Sequence, residues 1–314
     1  MPDLVTYKDL AMRAERNLKR RLNGLKGRLP LAERLPPNTT PAETQALFAV
    51  ARMGMAQVEK ICTFTDRGER AVQMTMKTLR SKRLVSWFRW VDAKKNGDSE
   101  IGPLTTVPMY MLTMKGAERV ILEKLLPDSR HLLIRSWRGK PVFHSQIPHQ
   151  LGVTDIMLAI AKASVHSKTA EVKEMIPDFL WEKINDKKIT LTTEMEGTDL
   201  EIRSDLIVRL LAKNSGRSFT PYFELERNHR GRPALLYKFK AYSKLFTLPE
   251  RRYDFGPPVL LYILTLADRR QTIIDMVKDF PVAPAFRITD LASLKKDAFG
   301  PIWKKTDGSD WAIG

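Results

Sequence analysis

Three carboxylates in the second half of the chain have the spacing of a metal site. Asp205 lies in the largely apolar run 200–211, and Glu224 and Glu226 lie in a second run, 219–226. Alternate side chains of a β-strand share a face, so Glu224 and Glu226 point the same way. On two adjacent strands the three carboxylates converge, and they repel one another unless a divalent cation or basic groups neutralise them. The pattern therefore indicates a Mg²⁺ or Mn²⁺ site.

A surface location is the alternative for these acids, since spacing alone also fits three exposed carboxylates paired with nearby arginines. The turn-rich stretch 213–218 between the two runs favours convergence, because it predicts a hairpin that pairs the strands. Glu171 and Glu174 are further candidate ligands, although surface charge is the more typical role of such side chains.

The chain as a whole is strongly basic. Its 314 residues include 53 Lys and Arg against 36 Asp and Glu, which gives a net charge of +17. The excess is spread along the chain, which indicates a polyanionic partner, with nucleic acid favoured over an anionic membrane surface. A merely soluble basic protein is the alternative.

Composition also excludes several classes of protein. Cys62, the single cysteine, can form neither an intramolecular disulfide nor a cysteine zinc cluster. The longest apolar stretch, around Val259–Leu264, is too short to span a bilayer, and the N-terminus has no apolar signal region. We therefore expect a cytoplasmic protein with no membrane partner and no small-molecule cofactor.

Two segments of the chain precede the one that contains the three acids. Residues 1–41 contain a basic amphipathic helix or arm over 1–34 and a proline-rich linker. The arm either contacts DNA or packs its leucines on the body of the protein. Residues 42–126 have the pattern of three helices, a strand, a loop, a return strand and a further helix. Thr40, Pro41 and Glu43 predict a capped start to the first helix, Met55–Cys62 a second, and Thr65 a cap for a third over 66–82.

This second segment resembles a winged helix-turn-helix domain. The return strand at Val107–Thr113 and the sequence Tyr110–Gly116 are similar to the signature at the wing exit of many such domains. The resemblance implies that basic and polar residues of the third helix and the wing contact DNA; these are Arg67, Arg70, Gln73, Lys77, Arg80, Lys94 and Lys95. A small helical domain with an ordinary charged face is the alternative.

Residues 127–314 alternate strands and helices, which predicts an α/β domain around a mixed sheet. Short strands are predicted at 132–137 and 140–143, and an element of uncertain type at 179–184. The other predicted elements are a helix over 149–168, an extended segment at 170–174, the two acidic strands, a helix over 234–246, a buried strand at 259–264, a helix over 270–278 and a last strand at 285–289.

The acidic motif resembles the PD-(D/E)xK class of restriction-type nucleases, in which an aspartate on one strand and (Asp/Glu)-x-Lys on its neighbour hold Mg²⁺. Asp205 is similar to the aspartate half and Glu224-x-Glu226 to the second half, with Glu226 where that class usually has lysine. The resemblance implies that a lysine on the following helix supplies the positive charge that this strand lysine provides in the class, with Lys238 and Lys240 as the candidates.

In their order and spacing, the motifs over about 43–305 resemble the replication-relaxation proteins and the related MobC/TraX-type plasmid relaxases. They include His149–Asp155, Asp205, the Glu224–Glu226 pair, and Lys238 with Tyr242. The resemblance implies a winged helix joined to a restriction-endonuclease-like domain that nicks DNA at a plasmid transfer origin during mobilisation. The departures are Arg203-Ser204 before the aspartate and a longer basic stretch at 227–231, which affects the register of Lys238.

The resemblance also assigns a role to each of these residues. Asp205, Glu224 and Glu226 are the implied metal-binding catalytic carboxylates, with His149 and Asp155 flanking them; Asp155 either completes the metal shell or orients His149. Lys238 and Lys240 face DNA, and Tyr242 is structural or contacts a phosphate. The expected partners are transfer-origin DNA and relaxosome accessory or coupling proteins. A non-catalytic DNA-binding accessory or regulator with a degenerate nuclease-like domain is the alternative function.

Overall fold

The structure is a computed structural model that describes residues 38–92, 105–125, 147–177, 191–195, 198–202, 204–227, 231–247 and 258–313. Several sequence predictions lie outside these ranges: the N-terminal helix or arm, Lys94 and Lys95 of the wing, and the elements at 132–137, 140–143 and 179–184. The sequence predicts an α+β or α/β chain, and the described residues, which combine helices with antiparallel and mixed sheets, are of the α+β class. They fall into two compact units, residues 38–125 and residues 148–313.

The first unit has four helices and a small antiparallel sheet. Its strands are in the order β1-β3-β2, with β3 in the centre. The elements follow one another as α1 (Pro41–Met53), β1 (Ala56–Gln57), α2 (Val58–Thr65), α3 (Glu69–Ser81), β2 (Val85–Asp92), β3 (Thr105–Leu112) and α4 (Met114–Leu122).

Local capping explains where α1 begins. Thr40 Oγ1 accepts from the Glu43 backbone N–H at 3.3 Å, and Glu43 Oε2 accepts from the Thr40 N–H at 2.7 Å, which is the predicted capping box. The predicted cap at Thr65 is wrong. Thr65 is the last residue of α2 and donates to the Ile61 carbonyl, and α3 begins later, after Gly68. The prediction also missed β1, because two residues are too few to show a period.

The second unit is built on a seven-stranded mixed sheet in the order β12-β11-β10-β9-β8-β7-β4, with a separate β5-β6 hairpin. Its central strands β8, β9 and β10 are parallel, and the outer pairs are antiparallel. The elements are α5 (Ile147–His166), β4 (Ala170–Pro177), β5 (Leu191–Met195), β6 (Thr198–Ile202), β7 (Leu206–Ala212), β8 (Ser218–Glu226), α6 (Arg232–Thr247), β9 (Pro258–Leu264), α7 (Arg270–Val277), β10 (Phe286–Asp290), α8 (Leu291–Lys296), β11 (Trp303–Lys304) and β12 (Asp310–Trp311).

The central strands are buried on both faces, and alternate residues therefore enter different cores. In β9, Leu260 and Tyr262 pack in one cluster with α6 and α7, whereas Leu261 and Ile263 pack in the other with α5 and α8. Two helical layers thus enclose the sheet. This is why β9 reads as a continuous apolar run and not as an alternating one.

Two predictions about this unit are corrected. The run 200–211 is not one strand: β6 ends at Ile202 and β7 begins at Leu206. The strand at 285–289 exists as β10 but is not the last, since α8, β11 and β12 follow it. The hairpin predicted at 213–218 is confirmed by the antiparallel pairing of β7 with β8.

Candidate active site

Asp205 and Glu224 lie at the same end of two paired strands. Leu206, the first residue of β7, pairs with Phe223 of β8, so the residues next to them, Asp205 and Glu224, are brought together. Asp205 Oδ2 accepts from the Leu225 backbone N–H at 2.7 Å, and Ser204 Oγ donates to the Phe223 carbonyl at 3.0 Å. Both bonds tie the entry of β7 to β8.

His149 holds the other oxygen of Asp205. It lies in the first turn of α5, and its Nε2 is 3.0 Å from Asp205 Oδ1. Burial acts to raise the pKa of Asp205, but the hydrogen bond and charge of His149, the charge of Lys238 and the Leu225 N–H together lower it to about 2. Asp205 is therefore a carboxylate at neutral pH.

Glu224 is fully buried and is held by α6. Lys238 Nζ donates to its Oε2 and Tyr242 OH to its Oε1. Lys238 and Tyr242 reach it together because residues four apart share a helix face. Burial raises the pKa of Glu224, Lys238 lowers it, and the charge of Asp205 raises it again, with a net value of about 7. The two carboxyl groups thus differ in protonation although they lie side by side.

Tyr242 has no exposed surface, and burial followed by the charge of Glu224 raises its pKa well above the usual value. The phenol therefore keeps its proton and donates to Glu224. Of the two roles that the sequence left open for Tyr242, this position favours the structural one.

Glu226 is directed to a different partner. It shares the α6-facing side of β8 with Glu224, as its spacing predicts, and its Oε2 accepts from Tyr262 OH of β9 at 2.9 Å. The centre of the Tyr262 ring also lies 5.9 Å from Lys238 Nζ. Sequence reasoning missed Tyr262, although it is the one hydroxyl-bearing side chain in the otherwise aliphatic run Val259–Leu264.

The remaining predicted residues lie further from this cluster. Asp155 forms an ion pair with Lys295 of α8 at 2.8 Å, and Lys240 is exposed on α6. Glu171 pairs with Lys173 at 2.7 Å and Glu174 with Arg209 at 3.2 Å. Each of these two acids thus has a basic neighbour on the sheet.

Fewer side chains are placed to bind a metal ion than the sequence predicts. Among the described residues, no group of three or more His, Cys, Asp or Glu side chains is arranged to hold a cation. Asp205 and Glu224 remain as a pair of hard oxygen donors whose mutual repulsion raises the pKa of Glu224. Mg²⁺ is commonly held by one or two carboxylates together with substrate phosphates and water, so this pair fits such an ion.

In the first unit, α3 presents a basic face. Arg70, Gln73, Lys77 and Arg80 are exposed on it, and Arg80 stacks 4.9 Å from the centre of the Trp87 ring. The guanidinium of Arg67 instead donates to Thr75 Oγ1 at 3.3 Å, which ties it to the fold.

Comparison with known proteins identifies the family. The chain belongs to the replication-relaxation family, whose model matches residues 45–259, and this links it to replication or plasmid relaxation. No curated protein matches it. The X-ray structure of the YusO protein from Bacillus subtilis shares 18% identity over 50% of this chain and 99% of that chain, with a TM-score of 0.21, too low to bear on the fold. No helix in the described ranges is long and apolar enough to cross a membrane.

Proposed function

We propose that the protein is a metal-dependent DNA-nicking endonuclease, a relaxase acting at a plasmid transfer origin, with a winged helix as its DNA-binding unit and a PD-(D/E)xK-like nuclease unit. The observation that carries the proposal is the pair of buried carboxyl groups, Asp205 and Glu224, at the ends of β7 and β8, with Lys238 of α6 bonded to Glu224. Two carboxylates that hold a divalent cation and a lysine that stabilises developing negative charge are a set that metal-dependent phosphodiester cleavage can use.

The chain's own residues divide the work of cleavage. Asp205 is ionised and held by His149, and it provides a fixed negative oxygen. When bound, Mg²⁺ or Mn²⁺ supplies Lewis-acid stabilisation of the phosphate and acidifies water, with Asp205 and Glu224 as its protein ligands. Lys238 carries a positive charge beside them, where a phosphate oxygen gains negative charge as water bonds to phosphorus and the bond to the leaving deoxyribose oxygen breaks.

The first unit supports the DNA-binding part of the proposal. Its order of elements, with β1 before α2 and the antiparallel strands β2 and β3 after α3, supports a winged helix. In that geometry α3 enters the major groove, and Arg70, Lys77 and Arg80 are exposed to contact bases or phosphates.

A nicking assay tests the proposal. Supercoiled plasmid carrying the DNA that flanks this protein's gene is expected to relax with Mg²⁺ or Mn²⁺ and to stay supercoiled with EDTA. Asp205→Ala is expected to abolish relaxation and leave DNA binding intact, since Asp205 lies in the second unit and the proposed DNA-binding face in the first. Relaxation by the variant at the wild-type rate would sink the assignment.

One observation favours a second candidate, a non-catalytic DNA-binding accessory protein. Both oxygens of Asp205 and both oxygens of Glu224 already accept hydrogen bonds from protein groups. Polar groups that serve only to stabilise a fold typically have all their hydrogen bonds made within the protein, as these carboxyl oxygens do. In that case the protein binds the flanking DNA but does not relax the plasmid with any divalent cation.

A further inference from the structure

Helix α6 has a second face, directed away from the carboxylates. Leu235, Phe239 and Tyr242 are buried on the inner side, whereas Tyr237 and Lys240 are exposed and Lys244 is half-buried on the outer side. Tyr237, Lys240 and Lys244 are spaced by three, four and seven residues, so they form one stripe along the helix.

Tyr237 is a large aromatic residue at an exposed position, with 49% of its surface accessible to solvent. A large aromatic ring held on a rigid helix offers a flat apolar surface, and the two lysines beside it offer positive charge. This combination of a stacking ring with cations is the chemistry that binds unpaired nucleic acid: each base has a face that stacks, and each nucleotide has a phosphate that a lysine neutralises. Duplex DNA does not offer those faces, because its bases are stacked on one another.

The stripe adjoins the cluster through the chain, although the two lie on different faces of α6. Tyr237 directly precedes Lys238, which donates to Glu224 on the inner side of the helix. Under the proposed function, a DNA strand whose phosphate lies near Lys238 would reach Tyr237, Lys240 and Lys244 by continuing around α6. The chain's net charge of +17 favours a polyanion over a neutral ligand at this surface.

We propose that Tyr237, Lys240 and Lys244 form a binding site for single-stranded DNA, in which an unpaired base stacks on Tyr237 and the lysines contact phosphates. The inference rests on the proposed function for its choice of DNA as the ligand. It adds that the second unit holds DNA as an unpaired strand on the outer face of α6.

Binding measured without a divalent cation separates this site from cleavage. The probes are a fluorescein-labelled oligo(dT) of about 20 nucleotides and a duplex of the same length, long enough to cover a typical single-strand site. With the full chain in EDTA, Tyr237→Ala is expected to weaken oligo(dT) binding by about 5- to 160-fold, because stacking of one base contributes about 1–3 kcal/mol. Tyr237→Phe keeps the ring and is expected to bind oligo(dT) within about twofold of wild type.

Matched variants test the specificity of the effect. Val165→Ala removes two methyl groups from a residue that is 78% exposed on α5, and it is expected to leave oligo(dT) and duplex binding unchanged. Lys244→Gln is expected to reduce the salt dependence of oligo(dT) binding by about 0.7 in slope, the release from one phosphate contact. Duplex binding is expected to be unaffected by Tyr237→Ala, since the proposed duplex contacts are on α3.

Two results would overturn the inference: oligo(dT) binding by Tyr237→Ala equal to wild type, or an equal loss of duplex and oligo(dT) binding in that variant. Failure of the proposed function looks different. A protein that never nicks plasmid DNA, yet loses oligo(dT) binding through Tyr237→Ala, retains this site without the endonuclease.

Discussion

The carboxyl groups of Asp205 and Glu224 have opposite protonation behaviour because their partners differ. Asp205 accepts from a backbone N–H and from His149, and both stabilise its charged form. Glu224 has no exposed surface and lies beside the charge of Asp205, so its neutral form is favoured despite Lys238. A pair of this kind separates a permanent carboxylate from one that titrates near neutrality.

The pKa of Glu224 gives the protein's stability a pH dependence. The folded-state pKa is about 7, above its usual 4.5, so the contribution of this group is fully present below the unfolded-state pKa and is lost as pH rises through about 7. We expect Glu224→Gln to be less sensitive than wild type to a change from about pH 5 to about pH 8, by on the order of 1–3 kcal/mol. Urea unfolding at the two pH values, without divalent cations, measures this difference.

Mg²⁺ extends the same experiment. A cation bound by Asp205 and Glu224 stabilises the folded state by mass action, and most strongly at pH 8, where Glu224 is ionised. We expect Mg²⁺ to raise the urea midpoint of wild type at that pH, and Glu224→Gln to respond less. If the unfolding free energies of wild type and Glu224→Gln changed equally with pH, the raised pKa of Glu224 would be contradicted.

At the scale of residues, the hairpin and strand patterns were able to bring Asp205 and Glu224 together, because they are local rules, whereas His149 and Lys238 were placed beside these acids by the family resemblance alone. It did not anticipate that Glu226 bonds Tyr262 or that Asp155 pairs with Lys295. Those contacts depend on which strand or helix lies alongside, and periodicity carries no information about such neighbours.

The elements of the first unit are fixed by short-range contacts at their ends. Thr113 caps α4 through the Gly116 N–H, and the same threonine donates to the Leu84 carbonyl, which brings α4 against the start of β2. Glu43 in the α1 capping box also forms an ion pair with Lys82 at 2.8 Å. Helix ends therefore join elements as well as terminate them.

Removing the α1 cap tests this role. Thr40→Ala deletes the side-chain acceptor for the Glu43 N–H, and we expect a loss of about 1 kcal/mol in the free energy of unfolding. Gln45→Ala, at an exposed position of the same helix, serves as the control and is expected to stay within about 0.5 kcal/mol of wild type. Equal effects of the two changes would argue against the capping box.

Gly116 is required where α4 meets β2. A Cβ at this position would lie 1.9 Å from the Leu84 carbonyl oxygen, a backbone atom that cannot rotate away. We expect Gly116→Ala to destabilise the protein by about 2 kcal/mol or more, measured by urea unfolding. Gly68→Ser is the contrasting change, since nothing lies within 4 Å of a Cβ there and the hydroxyl supplies a cap for α3; a gain of a few tenths of a kcal/mol is expected.

Sequence patterns predicted the long elements better than their interruptions. The 3.6-residue period located α1, α5 and α6, and the turn residues located the β7-β8 hairpin. The break at Ser204-Asp205 was missed, because the alternate apolar residues Leu200, Ile202, Leu206 and Val208 keep one strand period across it while the chain changes sheets. The C-terminal β11 and β12 have two residues each, and only tertiary pairing defines them.

At the scale of the whole molecule, net charge governs how DNA binding responds to salt. The chain carries +17, with exposed basic residues on α3 and on α6. Each phosphate contact releases counterions, so the affinity for DNA falls with salt in proportion to the number of contacts.

Lys77 on α3 provides a test of this relation. We expect Lys77→Gln to reduce the slope of log affinity against log salt for duplex DNA by about 1, because one phosphate contact is lost. Titrations over about 50–200 mM salt measure the slope. Oligo(dT) binding by the same variant should keep its wild-type slope, and an unchanged duplex slope would exclude Lys77 from the DNA interface.

The order of the site residues along the chain has a consequence for folding. Asp205, Glu224, Lys238 and Tyr242 come from one stretch of sequence, and their bonds span 14, 18 and 20 residues, whereas the bond from His149 to Asp205 spans 56. Short separations cost little loop entropy, so the hairpin and α6 are able to assemble their part of the site early. Asp205 is fully held only once α5 has docked, and a partly folded chain therefore lacks the complete site.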